Sequence, residues 1–100
     1  MDPKAMFEGL AVALITPFRN GALDREALGR LATHLVEAGV TALYPCGCTG
    51  EATSLTREER TQVIRTVVEA ARGRAAVIAG TGTAVTSETI EVSLEAIRAG

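Results

Sequence analysis

Tryptophan is absent from this chain, tyrosine occurs once, at Tyr44, and phenylalanine twice. With aromatics at 3% of residues, the chain cannot build a base-stacking platform or an aromatic sugar-binding cleft. Charge of one sign is also lacking, since 10 basic residues stand against 12 acidic ones and the formal charge is −2. No basic field for a polyphosphate backbone and no polybasic lipid anchor follow from that balance. Long hydrophobic runs are missing too. The longest, Leu10 to Ile15, falls far short of the roughly 18–20 residues a membrane helix requires. The opening Met1-Asp2-Pro3-Lys4-Ala5-Met6-Phe7-Glu8 mixes charges and does not read as a signal peptide; residues 1–8 read as a leader. Cysteine is scarce: Cys46 and Cys48 are the two present. Two thiols cannot complete a four-ligand structural zinc site, and a bridge between residues two apart would be badly strained. A reduced, cytoplasmic protein is the expectation.

What is present is apolar and periodic. Apolar residues make up 47% of the 100 positions, enough to bury the core of one small domain. One pattern occurs three times: a short apolar run, a loop rich in Gly and Thr, and an amphipathic segment ending near Gly. The runs are Leu10–Ile15, Thr41–Pro45 and Ala75–Gly80, with starts 31 and 34 residues apart. Nearly continuous rather than alternating, they read as strands buried on both faces of a parallel sheet.

The helices carry clearer boundaries. Asp24 is a good N-cap for a stripe of Leu28, Leu31, Ala32, Leu35 and Val36 that Gly39 stops. Thr56 and Glu59 have the spacing of a capping box, ahead of Val63, Ile64, Val67, Val68 and Ala71, with the end at Gly73. Thr86 or Ser87 is expected to cap the third, whose stripe is Ile90, Leu94 and Ile97. The repeat βαβαβα suits an open doubly wound sheet or a closed (β/α)₈ barrel. Between the first strand and the first helix, Thr16-Pro17-Phe18-Arg19-Asn20-Gly21 reads as a turn without the dinucleotide G-x-G-x-x-G. Gly80-Thr81-Gly82-Thr83-Ala84-Val85 lacks that fingerprint's third Gly, and no Gly-Lys-Thr ending marks a P-loop. A Rossmann-like nucleotide binder therefore ranks last.

In either architecture ligands bind where the strands end. The most informative end is Cys46-Gly47-Cys48-Thr49-Gly50-Glu51. Its glycines let the backbone turn sharply and expose N–H groups, and Thr49 adds a hydroxyl. Neutral donors without a cation suit a small carboxylate or an oxyanion. The same residues can also form a purely structural turn in which Thr49 bonds backbone.

The loop Pro45–Glu51, followed by Leu55-Thr56 and Glu58-Glu59, resembles the G-[TS]-T-G-E signature of the dihydrodipicolinate synthase/N-acetylneuraminate lyase family. Ala13-Leu14-Ile15-Thr16-Pro17-Phe18 resembles the family's first strand. Val77–Gly82, with Thr86 and Glu88, resembles its third. The resemblance runs from about Gly9 to Gly100, and it implies a (β/α)₈ barrel of which this chain supplies about the first three βα units. A whole barrel needs about 250 residues, so residues 9–100 are expected to be the N-terminal part of one barrel domain, cut before the fourth strand.

The resemblance also implies chemistry: class I aldolases that hold pyruvate as a Schiff base and condense it with an aldehyde, here L-aspartate-4-semialdehyde in lysine biosynthesis. Relatives acting on sialic acid, keto-deoxy sugars or hydroxyproline-pathway compounds remain alternatives. If 100 residues is the natural length, so does a non-catalytic binding module, a half-barrel that pairs with a second copy to cover its edges. Thr49 is expected to bind the pyruvate carboxylate, with Gly47 and Gly50 shaping the loop. Cys48 stands where the family's proton-relay Thr hydroxyl would be. A thiol is a weak donor and acceptor: it could keep the geometry and conduct protons less well, belong to a branch with another substrate, or be an inert packed residue. The Schiff-base Lys and the Tyr residues of the relay are expected on later strands; Lys4 matches nothing catalytic, and the fragment alone should be inactive. No metal or organic cofactor, no nucleic acid and no membrane partner is implied, while a homo-oligomer, a dimer of dimers, is. His34, on the first helix, reads as structural. Arg57, Glu58, Glu59, Arg60 and Arg65 read as a solvated helix face. By resemblance a lysine-effector cleft maps onto Ala52, Leu55, Arg60, Ala84 and Glu88, and weak or absent lysine inhibition is expected.

Overall fold

The computed structural model describes residues 8–100. Lys4 and all of the expected leader except Glu8 lie outside the described residues. Three short parallel strands, β1 (Ala11–Ala13), β4 (Ala42–Tyr44) and β5 (Ala76–Val77), form one sheet in the order β1-β4-β5. Ala11 pairs with Ala42 and Ala13 with Tyr44; Ala42 pairs in turn with Ala76. The regular strands are shorter than the apolar runs, yet the hydrogen bonding continues past them. Leu14 donates to the Tyr44 carbonyl at 3.0 Å, Ile78 to Leu43 at 2.9 Å and Gly80 to Pro45 at 2.9 Å.

One correction concerns the connection after β1. The expected plain turn is a hairpin, β2 (Phe18–Arg19) against β3 (Ala22–Leu23). Asn20 and Gly21 both take positive φ, +53° and +78°, as a two-residue type I′ turn demands, and Asn-Gly is the dipeptide that adopts it most readily.

Helix α1 (Arg25–Glu37) starts where expected: the Asp24 side chain accepts from the Ala27 N–H at 3.0 Å. Helix α2 (Arg57–Ala71) starts on the complete Thr56/Glu59 capping box. It ends with Arg72 in the left-handed region, one residue before the expected Gly73. Helix α3 (Thr86–Arg98) is not capped by Thr86 or Ser87, which lie in its first turn. Val85 holds the cap position, and its N–H goes to the Thr83 hydroxyl at 3.2 Å. Thr83 also donates its hydroxyl to the Val85 carbonyl at 2.8 Å, so it fixes the entry to the helix, while no cap side chain reaches the first-turn amides.

The core lies between one sheet face and the helices. Leu14, Leu28, Leu43, Val63 and Val67 are its largest fully buried aliphatic side chains, each contributing about 1.5–3 kcal/mol by burial. Because side chains alternate along a strand, Leu43 and its partner Val12 face the helices, whereas Ala11, Ala13 and Tyr44 stand on the opposite face. Helix α3 is covered least: Val92 is its one buried residue, while Ile90 and Ile97 are 58% and 74% exposed. No described helix is long and apolar enough to cross a membrane.

Candidate functional site

The bend from Pro45 to Glu51 leaves the end of β4 and enters a single 3₁₀ turn, Ala52–Ser54, ahead of α2. Its shape rests on two residues that are not glycine yet take left-handed backbone conformations, Cys46 at φ +59° and Glu51 at +55°. Such residues cost of order 1–3 kcal/mol and persist only when their surroundings hold them. The surroundings here are visible. Thr16, buried at the end of β1, donates its hydroxyl to the Gly50 carbonyl at 2.7 Å. The Gly80 N–H holds the Pro45 carbonyl from the other side. Gly80 lies so close to the Cys46 carbonyl that any Cβ there would collide with backbone. Within the bend, Glu51 N–H donates to Cys48 and Ala52 N–H to Gly47.

That arrangement spends the carbonyls of Pro45, Gly47, Cys48, Gly50 and Glu51 and leaves a run of amides. Among the described residues, the backbone N–H groups of Gly47, Cys48, Thr49 and Gly50 donate to no protein acceptor. Thr49 and Cys48 are exposed, Gly47 and Gly50 buried, and the Thr49 hydroxyl has no protein partner among the described residues. The alternative in which the Thr49 hydroxyl bonds backbone is therefore not what the described residues form. Successive free amides around a bend make a concavity suited to an anion. The four residues expected at the site are thus brought together on one loop.

The two cysteines divide in a way that removes one alternative for Cys48, that of an inert packed residue. Cys46 is the packed one, 2% exposed, and Cys48 is exposed. Burial pushes the Cys46 thiol above its ordinary value, and the nearby Arg60 guanidinium partly offsets this.

Arg60 corrects a second expectation. It does not lie on a solvated helix face but is 8% exposed. Its guanidinium donates to the Ala52 carbonyl at 3.0 Å and, at 3.5 Å, to that of Gly80. The turn that buries it comes from the bend, not from α2, so helical periodicity could not reveal it. Arg57 crosses to α3, where it meets Glu91 at 3.1 Å and Glu95 at 2.8 Å. Beside these residues lies a cavity of about 430 Å³ whose lining includes all five expected cleft positions, Ala52, Leu55, Arg60, Ala84 and Glu88. His34 lies away from the bend, in an open groove between α1 and α2 with Arg30 and Glu69. Among the described residues no group of His, Cys, Asp and Glu could hold a metal ion.

The sequence profile described as the dihydrodipicolinate synthetase family matches residues 6–100. A 4-hydroxy-tetrahydrodipicolinate synthase of Pelobacter propionicus is 47% identical over 95 residues, covering 95% of this chain and 33% of that protein. The crystal structure of dihydrodipicolinate synthase from Aquifex aeolicus superposes with a TM-score of 0.89 at 47% identity, over 94% of this chain and 32% of the other. The chloride-inhibited Acinetobacter baumannii enzyme, crystallised with pyruvate, gives 0.88 at 39% identity, over 92% of this chain and 32% of the other. This chain spans about a third of the length of the relatives it matches. Its three βα units are those of a (β/α)₈ barrel.

Proposed function

Since the chain belongs to the dihydrodipicolinate synthetase family, we propose that residues 9–100, behind a leader at 1–8, are the N-terminal part of a pyruvate-dependent aldolase. The complete enzyme would condense pyruvate with L-aspartate-4-semialdehyde, as a cytoplasmic homo-oligomer needing no metal or organic cofactor. The observation that carries this reading is the row of unspent amides from Gly47 to Gly50 beside the exposed Thr49 hydroxyl. Those donors hold a carboxylate, and holding it fixes where the adjacent keto carbon lies. A lysine amine from a later strand attacks that carbon and water leaves, giving an imine. Loss of a proton from the methyl carbon then gives an enamine, which attacks the aldehyde carbon.

Within this scheme the chain's own residues bind and orient. Gly47, Thr49 and Gly50 take the carboxylate, and Cys48 occupies the proton-relay position with a weaker donor than a hydroxyl. Comparing the complete protein with Cys48→Thr and Cys48→Ala tests that position; equal condensation rates in all three would remove it from the relay. The decisive experiment for the function is borohydride treatment of the complete protein with pyruvate. A stable mass gain of the reduced pyruvyl adduct is expected. Pyruvate binding without that gain would leave a binding module instead of an aldolase, and the 100-residue fragment should show neither trapping nor turnover.

A further inference from the structure

Three hydroxyl-bearing side chains approach the bend, and two of them are unspent. Thr16 gives its proton to the Gly50 carbonyl, and Thr49 is free. The third is Tyr44, the chain's one tyrosine. It stands on the sheet face opposite Leu43 and the helices, paired with the exposed Ala13. Its ring lies directly against Gly47. A Cβ placed on Gly47 would sit 2.9 Å from Cδ1 and 3.2 Å from Cζ, the carbon that bears the hydroxyl. Among the described residues the Tyr44 hydroxyl has no hydrogen-bond partner, although the side chain is half-buried.

Tyr44 stands on the face away from the helices, which is the inner face of a (β/α)₈ barrel, at the strand end where such barrels hold their ligands. The small neighbours Ala11 and Ala13 leave the ring room to lie against the bend. Moreover, the contact excludes any side chain at Gly47, so the ring and the bend must be accommodated together. We propose that Tyr44 is a further substrate-binding residue of the bend, whose hydroxyl donates to the carboxylate held by the amides of Gly47 to Gly50. It adds a neutral donor from the strand side, where the loop itself can offer none. The inference rests on the proposed pyruvate site and deepens it.

The test is Tyr44→Phe in the complete protein, which keeps the ring against Gly47 and removes one oxygen. Half-saturation by pyruvate should rise roughly tenfold while kcat changes little, the pattern of a lost binding contact. Discrimination between pyruvate and its uncharged amide should shrink by a similar factor, a change that loosened packing would not produce. Unchanged half-saturation and unchanged discrimination, with borohydride trapping intact in both proteins, would overturn the role of Tyr44 and leave the proposed function standing. Absence of trapping in the parent would overturn the proposed function itself, and this inference with it. Should the Phe variant fold poorly, the parent's own preference decides: pyruvamide saturating at the concentration pyruvate does would exclude a carboxylate-directed hydroxyl.

Discussion

At the scale of single residues, the bend separates donors that hold structure from donors left for a ligand. Thr16 belongs to the first group and Thr49 to the second, although both are threonines at strand ends. Replacing Thr49 by Val in the complete protein should therefore raise the pyruvate concentration for half-saturation roughly tenfold, the loss of one hydrogen bond to a charged group. Steady-state kinetics with varied pyruvate would show it, and an unchanged value would take the hydroxyl out of the site. The thiols make a second contrast. Cys48 should react with a thiol reagent in the native protein, and Cys46 only after denaturation. Burial raises the Cys46 pKa, so the unfolded chain loses that proton at a lower pH than the folded one. The stabilisation is complete below the ordinary thiol range and falls as pH rises from there towards the folded pKa. Urea titrations across that range should show declining stability in the parent and a flatter profile in Cys46→Ala.

Among the elements, the boundaries that held were those written in short-range chemistry. Asp24 and the Thr56/Glu59 pair lie within three residues of the amides they satisfy, which is why both could be read from spacing. Thr56→Ala should lower stability by about 1 kcal/mol, measured by thermal or urea denaturation, since it leaves the Glu59 amide without its cap. The hairpin at Phe18–Leu23 is equally local, and its signal is the Asn20-Gly21 dipeptide. Other features were not local at all. Burial of Arg60 depends on Ala52 and Gly80, 8 and 20 residues away, and the entry to the third helix is fixed by a threonine two positions before Val85 instead of by a capping hydroxyl. The site loop was legible because glycines and a hydroxyl sit together at a strand end. Tyr44 was not, since its proximity to Gly47 follows from how β4 turns into the bend.

For the molecule as a whole, parallel strands with crossover helices were implied by the repeat, while the closed barrel in place of the open sheet followed from the family resemblance and agrees with the solved barrels. The cavity beside Arg60 extends that view to regulation. Its lining carries the buried Arg60 cation and Ala84, a position with no side-chain amide to offer. Arg57 and Arg60 there stand against Glu88 and Glu91, so a cationic effector such as lysine gains no net attraction from the lining and finds no amide at Ala84. Inhibition of the complete enzyme by lysine should be weak or absent, and half-inhibition at sub-millimolar lysine would contradict that reading.

The abutment of Gly80 on the Cys46 carbonyl has a consequence for how this scaffold can diversify. Two loops contributed by different repeats are locked main chain to main chain, without an adjustable side chain between them. Gly82, only two positions on, has open space around it. Saturation mutagenesis selected for growth should hence return glycine almost exclusively at 80 and a broad assortment at 82, so that new specificities must arise around this joint instead of through it.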